Sequence, residues 1–254
     1  MVPGLDRFQR FFKDFQDQYI LIGGAACDTL MEAAGLGFRA TKDLDIVLCV
    51  EVLDSAFVKH FWDFIQEGQY EHRHKKSGEL CFYRFTEPVD DSFPYMLELF
   101  SKKPESLEYK DMGHLTPIPV EDDLSSLSAI LLDEEYYAFL HSHKLELDGL
   151  TLIDEVGLIP LKAKAWMENT DRKAAGQKIR SWDIKKHRSD IPRLFRLLKA
   201  ETQIQLPPGI KKDMEEFFLR MVDEETRVDL VRHEVTGITY SEFLSTLKKY
   251  YGIA

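Results

Sequence analysis

Apolar and polar positions along the chain follow two regimes. Up to about residue 155, short apolar runs and period-two alternation dominate, punctuated by Gly, Asp and Ser; beyond that point the period lengthens to that of a helix. The uninterrupted YILI of residues 19–22 predicts a buried strand. Residues 43–50 predict a second, with Leu44, Ile46 and Leu48 alternating against Asp43, Asp45 and Val47. Further strands are expected over 70–75, 80–86, 94–101 and 114–120. Residues 144–147 and 150–153 flank Asp148-Gly149, a two-residue hairpin signal. Helices are expected over 7–17, where Phe8, Phe11, Phe12 and Phe15 recur at helical spacing, over 25–34 ended by Gly35 and Gly37, over 55–66, and after the N-cap candidate Asp123. From Val156 onward the expected elements are all helical: 156–170, 182–199, 208–222 and 240–250. The pattern therefore predicts an α/β domain over 1–155 and a helical domain over 156–254. No internal repeat or low-complexity tract interrupts it.

Composition narrows the classes without changing that division. The chain has 254 residues, 44% hydrophobic and 30% charged, enough for a sizeable core and ordinary for a globular protein. No run approaches the roughly 18 apolar residues of a membrane span, so no membrane partner is expected. The charged, amphipathic N-terminus does not have the form of a signal peptide. Cys27, Cys49 and Cys81 lie in apolar surroundings without metal-ligand spacing, and are read as free thiols in a reducing, cytoplasmic setting. The net charge of −11 opposes non-specific nucleic-acid binding by the whole surface. Between residues 161 and 199, however, twelve Lys or Arg face four acids, a local balance of +8 that leaves −19 for the remainder. Such a segment suits an anion such as triphosphate or RNA, or forms salt-bridged helix faces.

Candidate chemistry begins at Gly23-Gly24. A strand running into two glycines and a helix presents backbone N–H groups and a positive helix end to an anion, and glycine allows close approach. Asp43 and Asp45, at alternate strand positions, project from the same face. Like charges that close are costly without a cation between them, and carboxylate with phosphate oxygens and water suits Mg²⁺; the alternative is a pair of turn-capping aspartates. Glu98 is the only charge in the apolar run 94–100, where burial without a partner is expensive. Metal coordination or general-base work would account for it, as would an edge strand facing solvent.

These residues carry a resemblance. Ile22-Gly23-Gly24, followed by Gly37-Phe38-Arg39-Ala40-Thr41-Lys42-Asp43-Leu44-Asp45, resembles the G-G … G-x-R-x-T-x-D-x-D signature of the DNA polymerase β-like nucleotidyltransferases, and most nearly the AbiEii-type group of toxins from abortive-infection toxin–antitoxin systems. Leu161-Lys162-Ala163-Lys164-Ala165-Trp166 and the stretch 183–191 are similar to that group's helical K-x-x-A-L … R-D-x-x-D region. Many polymerase β-like enzymes have Gly-Ser where this chain has Gly23-Gly24, and their third acid is more often aspartate than glutamate. The resemblance implies a mixed-sheet polymerase β-like catalytic domain with a C-terminal helical domain. It implies transfer of a nucleoside monophosphate from an NTP to an acceptor hydroxyl, with Asp43, Asp45 and Glu98 as catalytic metal ligands for two Mg²⁺ ions, for which Mn²⁺ can substitute. Gly23, Gly24, Arg39, Thr41 and Lys162, with Lys164 as the fallback register, would then bind nucleotide. The basic segment favours an RNA or tRNA acceptor touched by Lys185, Lys186 and Arg188, and the family context adds a cognate antitoxin as partner. Lys186 and Asp190, four apart, are expected to orient each other.

Competing readings are a small-molecule, antibiotic-type acceptor and a catalytically degenerate nucleotide-binding protein. A dinucleotide-dependent oxidoreductase is weaker, because Gly23-Gly24-Ala25-Ala26-Cys27-Asp28 lacks the G-x-G-x-x-G pattern. His72 and His74 are expected on a solvated strand, and His141 and His143 at a helix C-terminus.

Overall fold

The computed structural model describes residues 2–49, 51–52, 54–71, 84–101, 133–199 and 203–253. The strand expected over 114–120, the helix after Asp123, His72, His74 and Cys81 lie outside them. The chain is α/β, with one six-stranded mixed sheet, and it divides into two compact units: Met1–Glu134 with Lys144–Asp154, and Glu135–His143 with Glu155–Ala254.

In the first unit, β1 (Tyr19–Ile22) is buried at every position and runs directly into α2 (Gly23–Ala33). It pairs antiparallel with β2 (Asp43–Leu48) on one side and parallel with β6 (Leu150–Ile153) on the other. β4 (Met96–Phe100) runs parallel to β2, β3 (Arg84–Thr86) antiparallel to β4, and β5 (Lys144–Leu147) antiparallel to β6, giving the order β3-β4-β2-β1-β6-β5. The β5–β6 turn has positive φ at both Asp148 (49°) and Gly149 (72°), as a tight hairpin matched to strand twist requires. Helix α1 (Leu5–Phe11) is shorter than its phenylalanine spacing predicts. Two four-residue turns, Phe15 N–H to the Phe12 carbonyl and Gln18 N–H to the Phe15 carbonyl (both 3.0 Å), replace its continuation. They fold the rings into an aromatic core: Phe8 stacks on Phe12 at 4.4 Å and meets Tyr19 edge-on at 5.3 Å. Helix α3 (Ser55–Glu67) completes that core through Phe57, Phe61 and Phe64; the Asp54 carboxylate caps it by accepting the Phe57 N–H at 2.8 Å.

The second unit is helical: α4 (Glu134–Ser142), α5 (Glu155–Ala174), α6 (Ser181–Phe195), α7 (Pro208–Met221) and α8 (Tyr240–Tyr250). Leu158, Ile159, Trp166, Ile191, Phe217 and Leu247 are among its core residues. Pro160, inside α5, has no N–H to give the carbonyl of Val156 four residues back. The Tyr251 hydroxyl donates to that carbonyl at 2.9 Å instead. Helix α8 begins with a reciprocal capping box between Thr239 and Glu242.

Candidate active site

The candidate site is assembled where β1 turns into α2. Gly23 has φ +67°, and a Cβ placed on it would fall 1.8 Å from Asp45 Oδ2. No other residue type fits: the aspartate occupies the space of the missing side chain, and the backbone angle is costly for one. At Gly24 a Cβ would lie 2.7 Å from Thr41 Oγ1 and 3.6 Å from an Arg39 guanidinium nitrogen. Gly23, Gly24, Arg39, Thr41 and Asp45 therefore meet at one point, the start of α2. That helix begins after Ile22, which supplies no side-chain cap, and has no acid in its first turn. Its first N–H groups are buried and receive no cap from Ile22, so together with the partial positive charge of the helix end they favour an anion there, and the Asp45 carboxylate stands beside it.

Across the sheet, register extends the arrangement. Ile22 pairs with Asp45, Asp45 with Glu98, and Glu98 with Arg84, one row over four strands; Asp43 lies two residues along, opposite Met96. Glu98 is 9% exposed, and its Oε1 accepts both Arg84 Nε at 2.6 Å and Nη2 at 2.5 Å. Arg84 is a neighbour that the sequence pattern did not single out. Its only sequence signal is a cation in a strand-like run, and the strand pairing that brings it to Glu98 is not encoded locally.

Asp43 and Asp45 offer hard oxygen donors on one sheet face, a set suited in chemistry to Mg²⁺ completed by phosphate oxygens and water. The tethering of Glu98 Oε1 to Arg84 limits it as a third ligand. Among the described residues no group of three or more His, Cys, Asp or Glu side chains is gathered closely enough to share one ion. The fit is thus to a pair of aspartates, with Glu98 beside Asp45.

The cationic residues of the second unit are largely engaged with acids. Lys162 is buried, with its amine 3.0 Å from the equally buried Asp190. Lys164 reaches Asp213 at 2.9 Å, and the Tyr136 hydroxyl donates to the same carboxylate at 3.0 Å. Arg188 is buried against Glu224, which also holds Arg227 at 2.7 Å. Lys186 pairs with Asp183 at 3.3 Å rather than with Asp190. The expected Lys186–Asp190 contact is thereby corrected: Asp190 turns inward to Lys162, where burial strengthens the attraction. Lys185 is exposed. Beside Lys164, burial foremost pushes the Glu168 carboxyl up to about 7, opposed by Lys164 and reinforced by Asp213. Cys27 and Cys49 are buried free thiols; burial pushes Cys49 up to about 12, which leaves it unreactive at neutral pH.

No protein-family model matches this sequence, and no curated protein is significantly similar to it.

Proposed function

We propose that the first unit is a metal-dependent nucleotidyltransferase site of the polymerase β-like kind. The observation that carries this reading is the Asp45 carboxylate seated against Gly23 at the uncapped start of α2, in register with Glu98. An anion-binding helix end and a carboxylate pair side by side suit a phosphate bridged to a divalent cation. In this reading the N–H groups of Gly23 and Gly24 bind triphosphate oxygens, and Arg39 and Thr41, adjacent to Gly24, brace or contact the same phosphates. Asp43 and Asp45 would hold Mg²⁺, which supplies charge neutralisation to the phosphates and to the leaving pyrophosphate. Glu98, fixed through one oxygen by Arg84, orients the acceptor hydroxyl and takes its proton. The hydroxyl oxygen bonds to the α-phosphorus in line as the α–β bridging bond breaks and pyrophosphate departs. Lys162 and Arg188, being buried in ion pairs, are assigned to the scaffold of the second unit. The acceptor we favour is RNA, with the protein acting in the cytoplasm as the toxin of a toxin–antitoxin pair. The hold of Arg84 on Glu98 favours a second reading, a nucleotide-binding protein without transfer activity.

The test is thermal unfolding with each nucleoside triphosphate in Mg²⁺. Binding at a hundredfold excess over Kd stabilises the native state by about 2.7 kcal/mol, which is about 5 °C or more in Tm for a chain of this size. Asp45→Asn should lose the shift, and NAD(H) should give none. Absence of a shift with all four triphosphates would remove the reading; a shift without transfer of labelled nucleotide to total RNA would select the non-catalytic one.

A further inference from the structure

The cationic segment is not uniformly available. Lys162, Lys164, Arg188 and Arg196 are each bonded to a carboxylate, of Asp190, Asp213, Glu224 and Glu234 respectively. Part of the charge left in solvent lies around the turn between α5 and α6. Lys173, Lys178, Arg180 and Lys185 are all exposed there; Arg180 is paired with Asp183 at 2.9 Å, while Lys178 and Lys185 make no ion pair among the described residues. In the midst of them stands Trp182, the second residue of α6, with 58% of its surface exposed, while Trp166 in the core of the same unit shows 3%. A tryptophan left that open forgoes a large apolar gain. Trp182 and Lys185, three residues apart, lie on one face of α6, and Lys178 precedes it across the turn.

We propose that this turn and the first turns of α6 dock a single-stranded segment of RNA, one unpaired base stacking on the Trp182 indole while Lys178 and Lys185 contact the flanking phosphates. An aromatic face flanked by free cations complements a base flanked by phosphates. Duplexes keep their base faces stacked, whereas RNA loops and ends present them. The inference rests on the reading of RNA as the acceptor, but it places the contact at Trp182, Lys178 and Lys185 rather than at Arg188, and binding is separable from transfer.

The experiment is fluorescence anisotropy of the full-length protein with a labelled hairpin RNA carrying an unpaired loop, against a fully paired duplex of the same length, over a salt series. Trp182→Ala should weaken loop binding about tenfold or more, and Trp182→Phe should retain most of it. The double change Lys178→Ala with Lys185→Ala should lower the log–log salt slope by about 1.4, at about 0.7 per contact. Indole quenching on binding should vanish in Trp182→Ala, and because the side chain is exposed its Tm should stay at the wild-type value. Wild-type affinity in Trp182→Ala, or equal affinity for loop and duplex, overturns the proposal. No RNA binding alongside an intact triphosphate shift also overturns it while leaving the nucleotide site standing; RNA binding without any triphosphate shift supports the docking element and sinks the nucleotide site instead.

Discussion

The two units arrange their charged groups differently. In the first, three carboxylates lie close together, Asp45 opposite Glu98 on the neighbouring strand and Asp43 two residues along the same face, with Arg84 bonded to Glu98. In the second, buried or half-buried cations are matched to acids: Lys162 to Asp190, Arg188 to Glu224, Lys164 to Asp213. Breaking one partner of a matched buried pair leaves an uncompensated charge in a poor solvent. Acids placed side by side repel, so an arrangement that keeps them together suits a cation brought by a ligand. Mutation should therefore cost the first unit its proposed transfer activity and the second unit its stability.

The largest effect is expected at Asp45. Asp45→Asn should lower nucleotide transfer by a factor of about 10²–10³ or more, while native stability falls by no more than about 1 kcal/mol, the worth of a carboxylate at a helix N-terminus. Steady-state transfer and urea unfolding measure the two together; a variant that is unstable but active would erase the contrast.

Asp190→Ala should do the reverse, costing about 3–5 kcal/mol because Lys162 remains buried without its carboxylate. Replacing both partners, as Lys162→Met with Asp190→Leu, should recover most of that loss, since two apolar groups of similar size suit the interior. If the double variant is as unstable as the single one, the pair does more than neutralise itself.

The smallest effect is a pH dependence inside the second unit. Burial pushes His233 down to about 4, with Arg193 adding to the shift, and pushes Glu168 up to about 7. Acidification from 6.5 toward 4 protonates His233 in the unfolded chain first, so its contribution to stability is lost as pH falls. Glu168 acts with the opposite sign: the folded state takes up its proton first, so its contribution is present below 4.5 and lost as pH rises through about 7. The two offset each other across the same window. Glu168→Gln should make Tm fall more steeply on acidification than in wild type, and His233→Gln should make Tm rise. Parallel Tm profiles between pH 4.5 and 7.5 for all three proteins would show that neither group is linked to folding.

What the sequence disclosed is what local pattern can encode. The apolar YILI, the alternation after Asp43 and the Asp148-Gly149 turn each specify their own geometry, and the strands and hairpin stand there. The two aspartates share a face because strand period alone dictates it. The partners of charge were not legible: Asp190 lies 28 residues from Lys162, Glu224 36 from Arg188, and Asp213 49 from Lys164. Arg84 meets Glu98 only through strand pairing. The helical spacing of Phe8, Phe11, Phe12 and Phe15 overstated α1, because packing against Tyr19 and α3 rewards the same rings in a turn. Helix α4 precedes β5 in sequence yet groups with the second unit, an excursion that composition does not signal.

That excursion has a consequence on the ribosome. Leu21 of β1 is flanked on one side by Ile46 and on the other by Leu152, more than half the chain later. A nascent chain that has released β1 and β2 thus exposes one unpaired strand border until the β5–β6 hairpin has emerged, after all of α4. Translation that pauses or stops before residue 150 leaves that border able to pair with another chain. Synonymous codons that slow elongation between 100 and 150 should therefore lower the soluble yield, whereas the same delay placed after the hairpin has left the ribosome should not.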